Sequence, residues 1–187
     1  EQLQEGHFML LYESAKYISD GAKHIRARKY ADAALGKYKV SDVWEDIDKK
    51  RNKDMVMAYG LIPIISENDI RKRYLNLQNF KKESKQFGAQ RRASESRAVE
   101  ISLQNLSINA GYQDVTRLIL RMEALEFEDK RAFFEKKLIE DINVWINVSF
   151  DGKCELNCEK AGKKLKSIPA KYKKNEYIMA INEAKKE

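Results

Sequence analysis

Two histidines, two cysteines and one uneven run of basic residues are the groups in this sequence whose chemistry could exceed packing. A catalytic or metal-bound histidine needs a second reactive group at reachable spacing. His7 and His24 fall in different predicted helices with no cysteine near either, and they read as structural. Cys154 and Cys158 stand four residues apart. On a helix that spacing would bring two thiolates together, whereas on a strand it separates them by about 13 Å at ~3.3 Å per residue. A disulfide needs Cα atoms within about 7 Å. The β-branched context favours the strand, so both thiols read as small apolar groups. The carboxylates Glu126, Glu128 and Asp129 follow a helix end and read as solvated surface. No phosphate loop, dinucleotide fingerprint, nucleophile elbow or zincin helix occurs, and Gly162-Lys163-Lys164 lacks the upstream glycine of a phosphate loop. These residues give no positive sign of an active site, a metal or a cofactor.

Charge is the one uneven property. Between Arg71 and Arg97 lie nine basic residues and two acidic ones, Glu83 and Glu95. That local excess equals the whole chain's formal net charge of +7. Tyr74, Phe80 and Phe87 and the amides Gln78, Gln86 and Gln90 are interleaved with it. A basic stripe with aromatics and amides suits a protein that reads a nucleic-acid backbone. Its candidate contacts are Lys81, Lys82, Lys85, Arg91 and Arg92. The plainer alternative is a solvated helix face, or arginines paired with acidic helices such as 123–129. A second run, Lys163, Lys164, Lys166, Lys171, Lys173 and Lys174, follows later.

The elements that must position these groups are mostly helical. Of 187 residues, 43% are apolar and 35% charged, with eight Gly and two Pro. This excludes collagen-like and Pro/Gly-rich disordered chains, a disulfide scaffold, and a membrane-spanning chain, for which about 18 consecutive apolar residues are needed. No signal peptide is legible at residues 1–20, and two cysteines suit a reducing cytoplasm. The chain begins without Met and stops inside a helical pattern, which reads as a piece of a longer protein.

Periodicity predicts helices over 3–19 (Phe8, Leu11, Ala15 and Ile18 on one face), 22–35 (Ile25 and Tyr30 inward), from Ser41 (Val43, Trp44, Ile47), 54–59, and 67–87 capped by Ser66. Gly21, Gly36, Gly60, Gly88 and Gly111 are expected as left-handed residues ending helices. Over 90–110, Val99, Leu103, Leu106 and Ala110 share one face, with Ile101 and Ile108 about 180° away at ~100° per residue. A helix apolar on two sides is expected between two neighbours. Helices follow at 115–127 and 129–141, the latter carrying Phe133, Phe134 and Leu138. Residues 143–150 then read as a strand, Asp151-Gly152-Lys153 as a three-residue loop, and 154–158 as its partner. That loop pairs Phe150 with Cys154, Val148 with Leu156 and Ile146 with Cys158, gathering the apolar side chains on one face with Trp145 on the other. Residues 162–167 read as a basic loop or short strand, and Pro169 opens a last helix over about 170–186.

The expected architecture is mainly α: layered, solenoid-like helix pairs with a C-terminal β-hairpin packed on them.

Three runs within 66–187 carry a resemblance. They are Phe87, Gly88, Gln90, Arg91, Arg92, Ser94 and Glu95; Asn109 to Glu123; and Gly162 to Pro169. They resemble the central region of large bacterial proteins named for a supposed regulator of molybdate metabolism (MolR-like proteins), many of which carry a WGR module. This resemblance, confined to 66–187, the region with the hairpin at about 143–158, sets it apart from residues 1–65, which read as a helical-repeat-like segment. The resemblance implies a segment of a larger helical-repeat protein. It supplies no activity and no site residues. The functional expectation is a non-catalytic interaction or scaffold segment of a cytoplasmic bacterial protein. Its partners would be neighbouring domains or another protein, with no membrane. The alternatives are nucleic-acid binding through the 71–97 stripe, and part of an enzyme whose site other domains complete.

Overall fold

A computed structural model describes residues 5–14, 17 and 21–185. The chain divides into two compact units, Glu1–Met122 and Glu123–Glu187. The expected boundary near residue 65 falls inside the first unit, because helices on either side of it pack together. The architecture is mainly α with a C-terminal antiparallel sheet.

The first unit holds α1 (Glu5–Ser14), α2 (Gly21–Ala34), α3 (Val40–Lys50), α4 (Lys53–Tyr59), α5 (Glu67–Glu83) and α6 (Ala89–Asn109). α7 (Val115–Lys130) begins in this unit and ends in the second. Ala15 and Ile18 lie outside the described residues. Ile25 is exposed rather than inward. Ser66 caps α5 as expected, its Oγ accepting from the Asp69 amide at 3.2 Å, and Asp69 accepts in return from the Ile65 amide. Asn52 does the same work for α4, accepting from the amides of Asp54 and Met55. α3 starts one residue before Ser41, whose hydroxyl instead donates to Asp42. α4 contacts α2, α3 and α6, and α6 also contacts α5.

α6 departs from expectation in an instructive way. Val99, Leu103 and Leu106 are buried, but Ile108 is 69% exposed and Ile101 only half-buried. No second helix covers that apolar edge among the described residues. The second neighbour, α4, enters instead along the small and amide residues Ser102, Asn105 and Asn109. Asn105 Nδ2 donates to the Met57 carbonyl at 3.0 Å, and Asn109 Nδ2 donates to those of Gly60 and Ile62. Gly60 makes the approach possible: a Cβ there would stand 2.1 Å from the Ser102 carbonyl oxygen. Its φ of −70° shows that space, not a left-handed turn, demands glycine here. Gly88, at φ −59°, is likewise not left-handed and is the N-cap of α6. Gly36 and Gly111 do have positive φ.

In the second unit, β1 (Lys137–Ile139), β2 (Ile142–Val148), β3 (Cys154–Lys160) and β4 (Lys163–Lys164) form one antiparallel sheet in that order. β1 replaces the end of the expected 129–141 helix, because α7 stops at Lys130 and a 3₁₀ turn over Arg131–Phe134 leads into the strand. Val148 pairs with Cys154, Ile146 with Leu156 and Val144 with Cys158. The apolar set therefore shares one face as expected, but the register is two residues off. Ser149 and Lys153 close the loop, and Phe150-Asp151-Gly152 form it. Gly152, at φ +77°, takes the third loop position, where a left-handed residue is required. Phe150 is consequently left fully exposed at the tip.

Ala161 and Gly162 both have positive φ between β3 and β4, the signature of a type I′ turn. After β4 a short 3₁₀ turn, Ala170–Tyr172, precedes α8 (Glu176–Ala184), which Asn175 caps. Ile142, Val144, Ile146, Cys158, Tyr172, Ile178 and Ile181 form the core of this unit. Trp145 lies on the other sheet face, half-buried, with the Lys136 ammonium 4.5 Å from its ring centre.

Candidate nucleic-acid interface

The end of α5, the 3₁₀ turn Ser84–Gln86 and the first turns of α6 position the five candidate residues. Lys81 and Lys82 lie in the last turn of α5, Lys85 in the 3₁₀ turn, and Arg91 and Arg92 near the start of α6. Their side chains meet different environments. Lys81 is half-buried, and Lys82, Lys85, Arg91 and Arg92 are exposed. Arg91 is committed to its own helix: its Nε donates to Glu95 Oε1 at 2.9 Å, and its guanidinium lies 3.7 Å from the centre of the Phe87 ring.

Glu95 belongs to an arrangement that the basic stripe conceals in the sequence. Its side chain is 2% exposed and receives Arg51 through Nε and Nη2, the latter at 2.7 Å. Arg51 also donates to Glu83 and to the Phe80 carbonyl, and its guanidinium lies 3.9 Å from the Phe80 ring centre. Burial pushes the Glu95 carboxyl up, and the hydrogen bonds from Arg51 and Arg91 more than offset this, holding it below its ordinary value. Arg51 sits at the C-cap of α3 with φ 50°, so a left-handed backbone aims this side chain at α5 and α6.

Arg73 goes further inward. It is 0% exposed, paired with Asp69 through Nε and Nη2, and it donates to the carbonyls of Tyr59, Ile62 and Pro63. It caps the C-terminal end of α4, where helix carbonyls lack intrahelical donors. Two residues of the stripe, Arg73 and Glu95, thus hold helices together rather than face water. The Asp69–Arg73 spacing of four residues was a signal for this.

The second lysine run is built differently. Lys163, Lys164, Lys166, Lys173 and Lys174 are all exposed, and none makes a salt bridge among the described residues. Asp141 is taken by Lys160, by the Tyr172 hydroxyl and by Lys171, and its carboxyl is held far below the ordinary range by the first two.

Reactive groups are scattered. His7 is exposed, and the side chain of His24 lies outside the described residues. Cys154 is exposed and Cys158 buried; burial pushes the Cys158 thiol up. Among the described residues no three His, Cys, Asp or Glu side chains are grouped so as to hold a metal ion, and no helix is long and apolar enough to cross a membrane. A cleft of about 340 Å³ is lined by Lys37, Tyr38, Lys39, Asp42, Val43, Asp46 and Met55. Lys37 within it is held by Asp32, and Asp46 by Lys50.

The apolar surface is also uneven. On α1, Tyr12 is buried, its hydroxyl donating to Asp32, whereas Leu10 and Leu11 are 67% and 58% exposed. Ile25 on α2 and Leu35 just after its end are exposed as well.

No curated protein and no solved structure matches the chain. The model of a family of unknown function, DUF5724, matches residues 1–122. That stretch ends at the same residue as the first compact unit, and the chain belongs to the DUF5724 family.

Proposed function

We propose that the chain is a non-catalytic interaction segment of a larger cytoplasmic bacterial protein, with α1 as its docking helix for a neighbouring domain or protein partner. The observation that carries this reading is the exposure of Met9, Leu10 and Leu11 on a helix whose Tyr12 is buried. A helix apolar around most of its circumference is ordinarily covered around most of it, and adjacent exposed apolar residues mark interaction surfaces. The resemblance to MolR-like proteins supports the larger bacterial parent.

Hydrogen exchange of this chain alone and within the longer protein tests the reading. The expected result is at least tenfold slower exchange for the amides of Phe8–Ser14 in the longer protein. Identical protection of α1 in both contexts contradicts it.

A further inference from the structure

We infer that Lys163, Lys164, Lys166, Lys173 and Lys174 form a surface that binds the phosphate backbone of nucleic acid without reading sequence. The inference goes beyond the docking role of α1 and rests on a different unit.

Five observations carry it. The five ammonium groups lie within twelve residues, and no Asp or Glu occurs between Lys160 and Glu176. Two neighbouring carboxylates are already engaged: Asp141 with Lys160 and Lys171, and Glu159 with Lys136. The segment is pinned rather than loose. Leu165 and Ile168 pack on the core and Tyr172 lies within it, while the Leu165 amide donates to the Cys158 carbonyl at 2.8 Å. The lysines therefore project from a fixed backbone, which lowers the ordering cost of binding.

Protection of a sheet edge by lysine accounts for Lys163 and Lys164 on β4. It does not account for Lys166, Lys173 and Lys174, which lie outside the strand. Finally, the segment exposes no large apolar side chain. Protein interfaces deplete lysine and need an apolar centre, and a bilayer needs something to insert. Phe150, the most exposed aromatic among the described residues, is at the opposite end of β3 from β4, about 20 Å away at ~3.3 Å per residue over Cys154–Lys160. What remains is a partner recognised by repeated negative charge alone, and the buried or covered state of Tyr172 and Trp145 leaves no ring on which to stack a base.

Fluorescence anisotropy of the full chain with a 20-base-pair duplex of arbitrary sequence tests this, with phosphatidylserine vesicles and polyglutamate as competing probes. The expected result is binding at about 50 mM salt with a log–log salt slope of about −3.6 to −4.5, for four or five phosphates at ~0.9 each. Replacing all five lysines by Gln weakens binding at least tenfold and flattens the slope, while replacing all five by Arg preserves both, which separates lost charge from lost fold. Lys85→Gln with Arg92→Gln leaves the affinity within twofold. Absence of duplex binding at that salt overturns the inference. So does an unchanged affinity in the Gln variant, a loss caused by the Lys85/Arg92 pair instead, or tighter binding to vesicles or polyglutamate than to the duplex.

Discussion

The two basic runs look alike as composition and differ as structure. In the first unit, Arg73 is buried against Asp69 and three carbonyls, and Arg51 and Arg91 converge on the buried Glu95. In the second, Lys163, Lys164, Lys166, Lys173 and Lys174 stand in water with no carboxylate attached. The difference follows from the side chains. A guanidinium offers five donors in a rigid fork and is weakly hydrated, so it can serve several acceptors in a dry site. An ammonium is a strongly hydrated point charge on a flexible stem, and burying one costs more than three hydrogen bonds return. Arginine beside a carboxylate four residues away marks charge used for architecture; lysine runs without acids mark charge on display.

That contrast can be broken at either end. The largest effect is expected at Arg51. Arg51→Ala strips Glu95 of its main partner, leaves it only the exposed Arg91, and should cost about 3 kcal/mol, the low end for breaking a buried ion pair, read by urea unfolding. An unchanged midpoint would show the arrangement to be ornamental. Gly60→Ala comes next. It forces apart the α4–α6 contact and should cost about 1–3 kcal/mol by overpacking, because the methyl meets backbone rather than a side chain that can swing away. Acid sharpens the comparison further. The Glu95 carboxyl is lower in the folded state than its unfolded value of 4.5. Its contribution is therefore complete above the unfolded pKa and is lost as pH falls below about 5 through the folded pKa. Stability measured from pH 7 to pH 3 should fall in that window, and Glu95→Gln should lose part of the fall. Smaller again is the effect of Ala161→Asn, which suits the left-handed φ of 48° and should stabilise the second unit by about 0.5–1 kcal/mol, read as a higher thermal midpoint.

Much of the helical pattern was legible because caps and periodicity act locally. Ser66 with Asp69, the apolar line Val99–Leu103–Leu106 and the alternation of β2 each declare themselves within a few residues. The parity of the hairpin was legible too, since a one-residue slip would turn every side chain over. A two-residue slip keeps that parity, and the choice between the two registers turned on which loop position Gly152 would fill. The face of α6 that meets α4 was not legible. Hydropathy points to Ile101 and Ile108, while the contact is made by Ser102, Asn105, Asn109 and the absent side chain of Gly60, none of which registers as apolar. β1 was hidden because Lys137-Leu138-Ile139 is too short to show a period and is held by pairing with Asn143 and its neighbours. For the candidate site, the residues of the stripe were visible, but the partner that organises them, Arg51, lies 44 positions from Glu95, and no local pattern links the two.

Arg73→Lys tests the central contrast most directly, because it keeps the charge and removes only the fork. Urea unfolding should show a loss of about 2–4 kcal/mol, since an ammonium cannot serve Asp69 and the carbonyls of Ile62 and Pro63 together. A variant as stable as the parent, within about 0.5 kcal/mol, would match an ordinary surface exchange and would contradict the division between structural arginines and displayed lysines.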